Sequence, residues 1–346
     1  MNKLIKQLLE NLFDDYDDII QNDNDDIGDD LIAKKLKEEE LQKVKEWFCN
    51  NISTNKYKVF LNNIDKYVTF EYIDGILYCN LEFIDSITKF KSPIPDYVKI
   101  NKIKGNITFK SSYNLPKEIE GTMCIKSNET KITGPFPQKI KVLCINCPKL
   151  KSLKGLNDSC VSIGKLYIDN SLNLQDLTGL PDSVNYLQLT YCNFPNLKGC
   201  PKQLNVLNIQ ECNKLENLIG CPETIEKIDL LNLENFSSLE GCPKQLDELS
   251  ICGCEKLKSL KYISSLIGKG GLGVSQSGLV DLSNGPKEIE GNYYCNNNPN
   301  LKCLNAQDTV MTGHETVFHC YNNDSLKRLK ELPKMKYKDI KIKTDL

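Results

Sequence analysis

The hexapeptide Gly-Cys-Pro-Lys-Gln-Leu occurs twice in this chain, at residues 199–204 and again at 241–246. The near-copy Gly-Cys-Pro-Glu-Thr-Ile stands midway, at 220–225. A sequence that repeats every ~21 residues marks a solenoid, in which each short unit buries its apolar side only against its neighbours. The constraint extends to function, because such a chain offers a long surface rather than one enclosed pocket.

The unit opening at Pro201 shows the internal spacing: Leu204, Leu207, Ile209, Cys212, Leu215, Leu218 and Gly220. The unit at Pro222 supplies Ile225, Ile228, Leu230, Leu233, Phe236, Leu239 and Gly241 at the same offsets, and the unit at Pro243 follows suit. Units at Cys160 and Pro181 keep the pattern with small changes of length. Leu207 and Ile209, two residues apart, alternate as a half-buried strand does.

This spacing resembles the leucine-rich repeat family, with Cys212 in the slot that the family gives to Asn or Cys for bonding the backbone at the strand exit. The resemblance implies a mostly β, α/β-type solenoid, a horseshoe with a concave parallel sheet. Units of ~20 residues leave no room for a full helix, so the convex segments are expected to be extended or single-turn. The pattern weakens outward but persists, with Pro95, Pro116 and Pro137 spaced by 21 and a second hexapeptide, Pro-Lys-Glu-Ile-Glu-Gly, at 116–121 and 286–291. About eleven units are expected over residues 73–332. The irregular Cys-bearing units and the Asn-, Lys-, Ile- and Tyr-rich composition look like repeat proteins of large amoeba-infecting DNA viruses or of amoebal hosts.

The ends differ. Leu4, Ile5, Leu8, Leu9 and Leu12, then Ile32, Leu36, Val44 and Phe48, fall at helical spacing. Residues 1–72 are expected to hold two helices, about 2–13 and 29–49, a loop between them, and lead-in strands around Tyr57, Val59, Leu61, Val68 and Phe70. The helices are expected to cap the first repeat. The first thirty residues carry ten acids and two lysines, a net of −8 against −2 for the whole chain, which is the pattern of a solvated acidic loop. Residues 333–346, with Lys334, Lys336, Lys338, Lys341 and Lys343, are expected to be a basic tail.

Sixteen cysteines are expected as reduced thiols in a cytoplasmic, reducing compartment (a host cell, if the chain is viral), because they recur at repeat positions and no signal peptide precedes them. No apolar run spans a membrane. The literal Gly-x-Gly-x-x-Gly at 268–273 lacks the strand–helix context of a dinucleotide site, and Leu272, Val274, Leu279 and Leu282 fit a degenerate repeat instead. Cys144/Cys147 and Cys252/Cys254 are explained by strand and turn slots rather than by zinc. No catalytic residue, cofactor or metal is expected.

In the resembled family, partners usually bind the concave strand residues between the buried leucines. Carried over unit by unit, these are Lys165, Tyr167 and Asp169; Tyr186, Gln188, Thr190 and Tyr191; Asn208, Gln210 and Glu211; Lys227 and Asp229; and Glu248. The expectation is a non-enzymatic protein–protein interaction module, with no nucleic acid and no membrane as partner. The alternatives are a ubiquitin-ligase substrate receptor, or a structural or packaging component of a virus particle.

Overall fold

The computed structural model describes residues 25–54 and 64–345. The expected first helix, the loop as far as residue 24, and Tyr57, Val59 and Leu61 lie outside them.

The centre is a stack of parallel strands that obeys the repeat: β7 (Lys139–Asn146), β8 (Ser162–Asp169), β9 (Ser183–Thr190), β10 (Gln203–Gln210), β11 (Lys227–Leu231), β12 (Gln245–Cys252) and β13 (Leu266–Ser275). Units close to 21 residues long, with their small length differences taken up outside the inward positions, bring equal slots into register. Leu143, Leu166, Leu187, Leu207, Ile228, Leu249 and Leu272 form one file, and Ile145, Ile168, Leu189, Ile209, Leu230, Ile251 and Val274 form a second. Every member is at most 1% exposed, so the alternation seen in the sequence is the in/out alternation of a half-buried sheet. Return segments close the core from the opposite side with Leu177, Phe194, Leu197, Leu215, Leu218, Phe236, Leu239, Leu257 and Leu260, all buried. The spacing continues through about twelve turns.

The strand-exit slot bonds the backbone of the preceding turn. The Cys212 thiol donates to the Leu189 carbonyl at 3.6 Å, and the Cys192 thiol to the Ile168 carbonyl at 3.7 Å. Farther along, Asn298 donates to the Val274 carbonyl and Asn323 to the Cys295 carbonyl, both at 2.9 Å. Buried carbonyls left open by the bend are thereby satisfied. A glycine closes the return corner in the central units. Gly199 has φ +84°, and a Cβ there would stand 2.3 Å from the Thr178 nitrogen of the preceding turn, so no larger residue fits.

Strand β13 shows what the glycine-rich stretch at 268–273 does. Leu246 pairs with Ile267 and Glu248 with Gly271, so β13 carries two more residues than β12 between these pairs, a bulge. Beyond it the strands split into two parallel files. One is β14 (Glu288–Ile289), β16 (Val310–Met311) and β18 (Lys334–Met335); the other is β15 (Tyr293–Tyr294), β17 (Val317–Cys320) and β19 (Lys341–Thr344).

Lys334–Met335 and Lys341–Thr344, expected within a basic tail, instead form β18 and β19, which continue the sheet by one more turn. The lysines hid β19 from a hydrophobic pattern, although Ile342 between them keeps register with Phe318.

At the other end, α1 (Asp25–Asn51) runs into β1 (Ile52–Thr54), and α2 (Ile64–Tyr67) leads into β2 (Val68–Ile73). Both strands pair antiparallel with β3 (Ile76–Phe90), which starts the parallel stack through β4 (Lys99–Phe109). The stack then passes through β5 (Glu118–Glu120) and β6 (Thr122–Lys126). Val44, Trp47 and Phe48 of α1 are buried, and the Trp47 ring lies 5.3 Å from that of Phe90, itself 5.4 Å from Phe109.

Candidate functional site

Between the buried files, the strands carry outward files on the other face of the sheet. Lys165, Tyr186, Val206, Lys227 and Glu248 share one register, and Tyr167, Gln188, Asn208, Asp229 and Ser250 share the next. Asp169, Thr190, Gln210 and Leu231 form a third. Tyr191 and Glu211 stand at the strand exit in left-handed backbone, with φ of 52° and 54°. All thirteen residues singled out in the sequence thus fall on one continuous strip.

Most of the strip is half-buried, because its members cover one another. The rings of Tyr167 and Tyr186 lie 5.6 Å apart, tilted by 46°. The Tyr186 hydroxyl donates to Gln188 Oε1 at 3.0 Å, and Gln188 Nε2 donates to Thr190 Oγ1 at 3.3 Å. Gln210 Nε2 donates to Asn208 Oδ1 at 2.8 Å. Lys227 Nζ reaches Glu248 at 2.7 Å and Asp229 at 3.5 Å. Lys165 and Tyr191 stand exposed.

The electrostatics follow from this crowding. Burial raises the Asp229 carboxyl above its ordinary range; Lys227 opposes the rise and Glu248 adds to it. The hydrogen bond to Glu248 raises Lys227. Burial raises the Tyr186 hydroxyl. A carboxylate held half-buried at a cost is a common feature of functional surfaces.

The same file extends beyond the residues read from the sequence. Toward the C-terminus it continues through Gly273, Tyr294, His319 and Lys343. The Tyr294 and His319 rings stack at 4.4 Å and 15°, and burial, then Lys343, lowers the His319 imidazole. Toward the N-terminus it passes through Cys144 and Cys124. The signal was present: His319 lies between the repeat positions Phe318 and Cys320, and alternation alone turns it outward.

A separate open depression of about 1160 Å³ lies beside β5 and β7, with Lys117, Glu118, Glu120, Lys139 and Lys141 around it. Lys102 bridges Glu118 and Glu120 nearby. Among the described residues, no helix is long and apolar enough to cross a membrane. Comparison with protein-family models, with curated proteins and with solved structures finds no match.

Proposed function

We propose that the chain is a non-enzymatic protein-interaction module that binds a protein partner through the outward face of its parallel sheet. On this reading the solenoid is a leucine-rich-repeat horseshoe, the outward strip is its concave face, and α1 caps its first turn. The strand-exit ladder of Cys192, Cys212, Asn298 and Asn323 supports the family assignment, since Cys and Asn share one backbone-bonding role. The contact of Trp47 with Phe90 supports the cap. Sixteen unbridged cysteines accord with a reducing compartment, taken here as the cytoplasm.

The Tyr167–Tyr186 pair carries the binding reading. Two half-exposed rings, set in a strip of amides and opposite charges, combine apolar area with hydrogen-bonding tips, the composition favoured at interface centres. The test is affinity capture with mass spectrometry on three proteins: the parent, Tyr167→Ala/Tyr186→Ala, and Glu216→Ala/Glu240→Ala, which alters exposed return-segment residues. Partners captured by the parent should be lost only from the tyrosine variant. Loss only from the return-segment variant would move the binding face to the other side.

A further inference from the structure

All sixteen cysteines are thiols, and three pairs of them are interacting neighbours on adjacent turns: Cys192–Cys212, Cys295–Cys320 and Cys124–Cys144. The first two pairs are buried in the core, where a dissolved reagent does not reach. The third lies on the surface. Cys124 of β6 and Cys144 of β7 are register partners. Met123 and Ile125, and likewise Leu143 and Ile145, point into the core beside them, which turns both thiols to the outward face, half-exposed.

The spacing suits a bond. Neighbouring strands lie ~4.8 Å apart, inside the ~4.4–6.8 Å Cα span of disulfides. The Cys144 thiol donates a hydrogen bond that holds Cys124 down to about 7 against the cost of burial; Lys126 and the Thr108 hydroxyl add to the pull. The same hydrogen bond, then burial, pushes Cys144 up. One sulfur is therefore a ready thiolate at neutral pH, and the other is its protonated neighbour.

We propose that Cys124 and Cys144 form a reversible dithiol–disulfide site that exchanges with small soluble disulfides of the glutathione class. The Cys124 thiolate attacks one sulfur of the disulfide RSSR. That S–S bond breaks, and RS⁻ leaves and takes up a proton from water. With Cys124 capped, the charge that held the proton on Cys144 is gone. Cys144 gives its proton to solvent, and its sulfur attacks Cys124 Sγ and expels the second RS⁻. The protein dithiol loses two electrons and two protons, and RSSR becomes two RSH. The bridge is readily reversed, because a disulfide draws the Cβ atoms to ~3.8 Å, closer than the strand spacing, and strained exposed disulfides are the reducible ones. Cys144 also shares its register with Tyr167, so the bridge would form directly beside the tyrosine pair. The exchange chemistry itself does not depend on what that face binds.

The test treats the full, reduced chain with glutathione buffers of rising oxidised fraction. It is then acid-quenched, denatured and alkylated, and its intact mass and peptides are measured. The expected result is fourteen adducts in place of sixteen with no glutathione retained, the two protected thiols being Cys124 and Cys144. Cys144→Ser should instead trap one glutathione on Cys124, and Cys124→Ser should trap none at Cys144 in the same time. In the folded parent, the alkylation rate of Cys124 should titrate near pH 7, and its midpoint should rise in Cys144→Ala, which removes the hydrogen-bond donor. Sixteen adducts under every buffer, protection at other cysteines, or a Cys144→Ser variant that keeps its circular dichroism yet captures nothing would each overturn the proposal.

Discussion

The Tyr186 ring packs against the Tyr167 ring at 5.6 Å although the two residues are not register partners. Tyr186 pairs with Lys165 and Tyr167 with Gln188, so the rings meet diagonally across neighbouring strands. Diagonal neighbours within reach of aromatic side chains are an ordinary source of sheet stability.

Removing both rings should therefore act on folding and on binding by different amounts. Tyr167→Ala/Tyr186→Ala is expected to lower stability by about 1–2 kcal/mol, since the pair is half-buried and mutually packed. Partner affinity should fall by more than 2 kcal/mol, about thirtyfold or greater. Urea unfolding and titration calorimetry with a captured partner separate the two effects. Equal losses would reduce the tyrosines to packing residues.

Ile209 is fully buried between Leu189 and Leu230 in the second inward file. Ile209→Asp places an unpaired charge inside the stack and should cost at least about 4 kcal/mol, enough to unfold many domains. Asn205→Asp, an exposed position on the same strand, should change stability by no more than about 0.5 kcal/mol. Denaturation curves that fail to distinguish the two would show the strand facing the wrong way.

Two glycines should respond oppositely to alanine. Gly199→Ala meets a positive φ and a backbone atom at 2.3 Å, and is expected to destabilise by more than about 1 kcal/mol. Gly273 has no such φ, and its added Cβ would meet only Ser250 Oγ, at 3.9 Å. Gly273→Ala should stabilise by about 0.4–1 kcal/mol through the unfolded chain. Melting temperatures that move in the same direction would contradict this geometry.

The Asp229 carboxyl ties stability to pH. Its folded-state pKa is raised by burial, so its favourable contribution is present below the unfolded value and is lost as pH rises through the higher folded one. Burial costs the charged form more than Lys227 returns. Asp229→Asn should melt higher than the parent at pH 7, and the difference should close by pH 3. A gap independent of pH would mean that the charge is not what costs.

The sequence by itself determined the inward files, the parallel order of the strands and the strand-exit slot. Unit lengths near 21 residues place Leu187, Leu207 and Ile228 at one height whatever lies between them, and a period of two turns Asn208 and Asp229 outward. It did not show that Lys341–Thr344 is a strand. Lysines flank Ile342 there, and the segment becomes a strand through its pairing with β17, which sets Ile342 beside Phe318. Nor did it determine which outward residues meet. Tyr167 with Tyr186, Cys124 with Cys144, and Tyr294 with His319 are neighbours only once separate turns are stacked a strand's width apart. Periodicity decides which way a side chain faces; what it touches across the gap is decided by the register of one turn on the next.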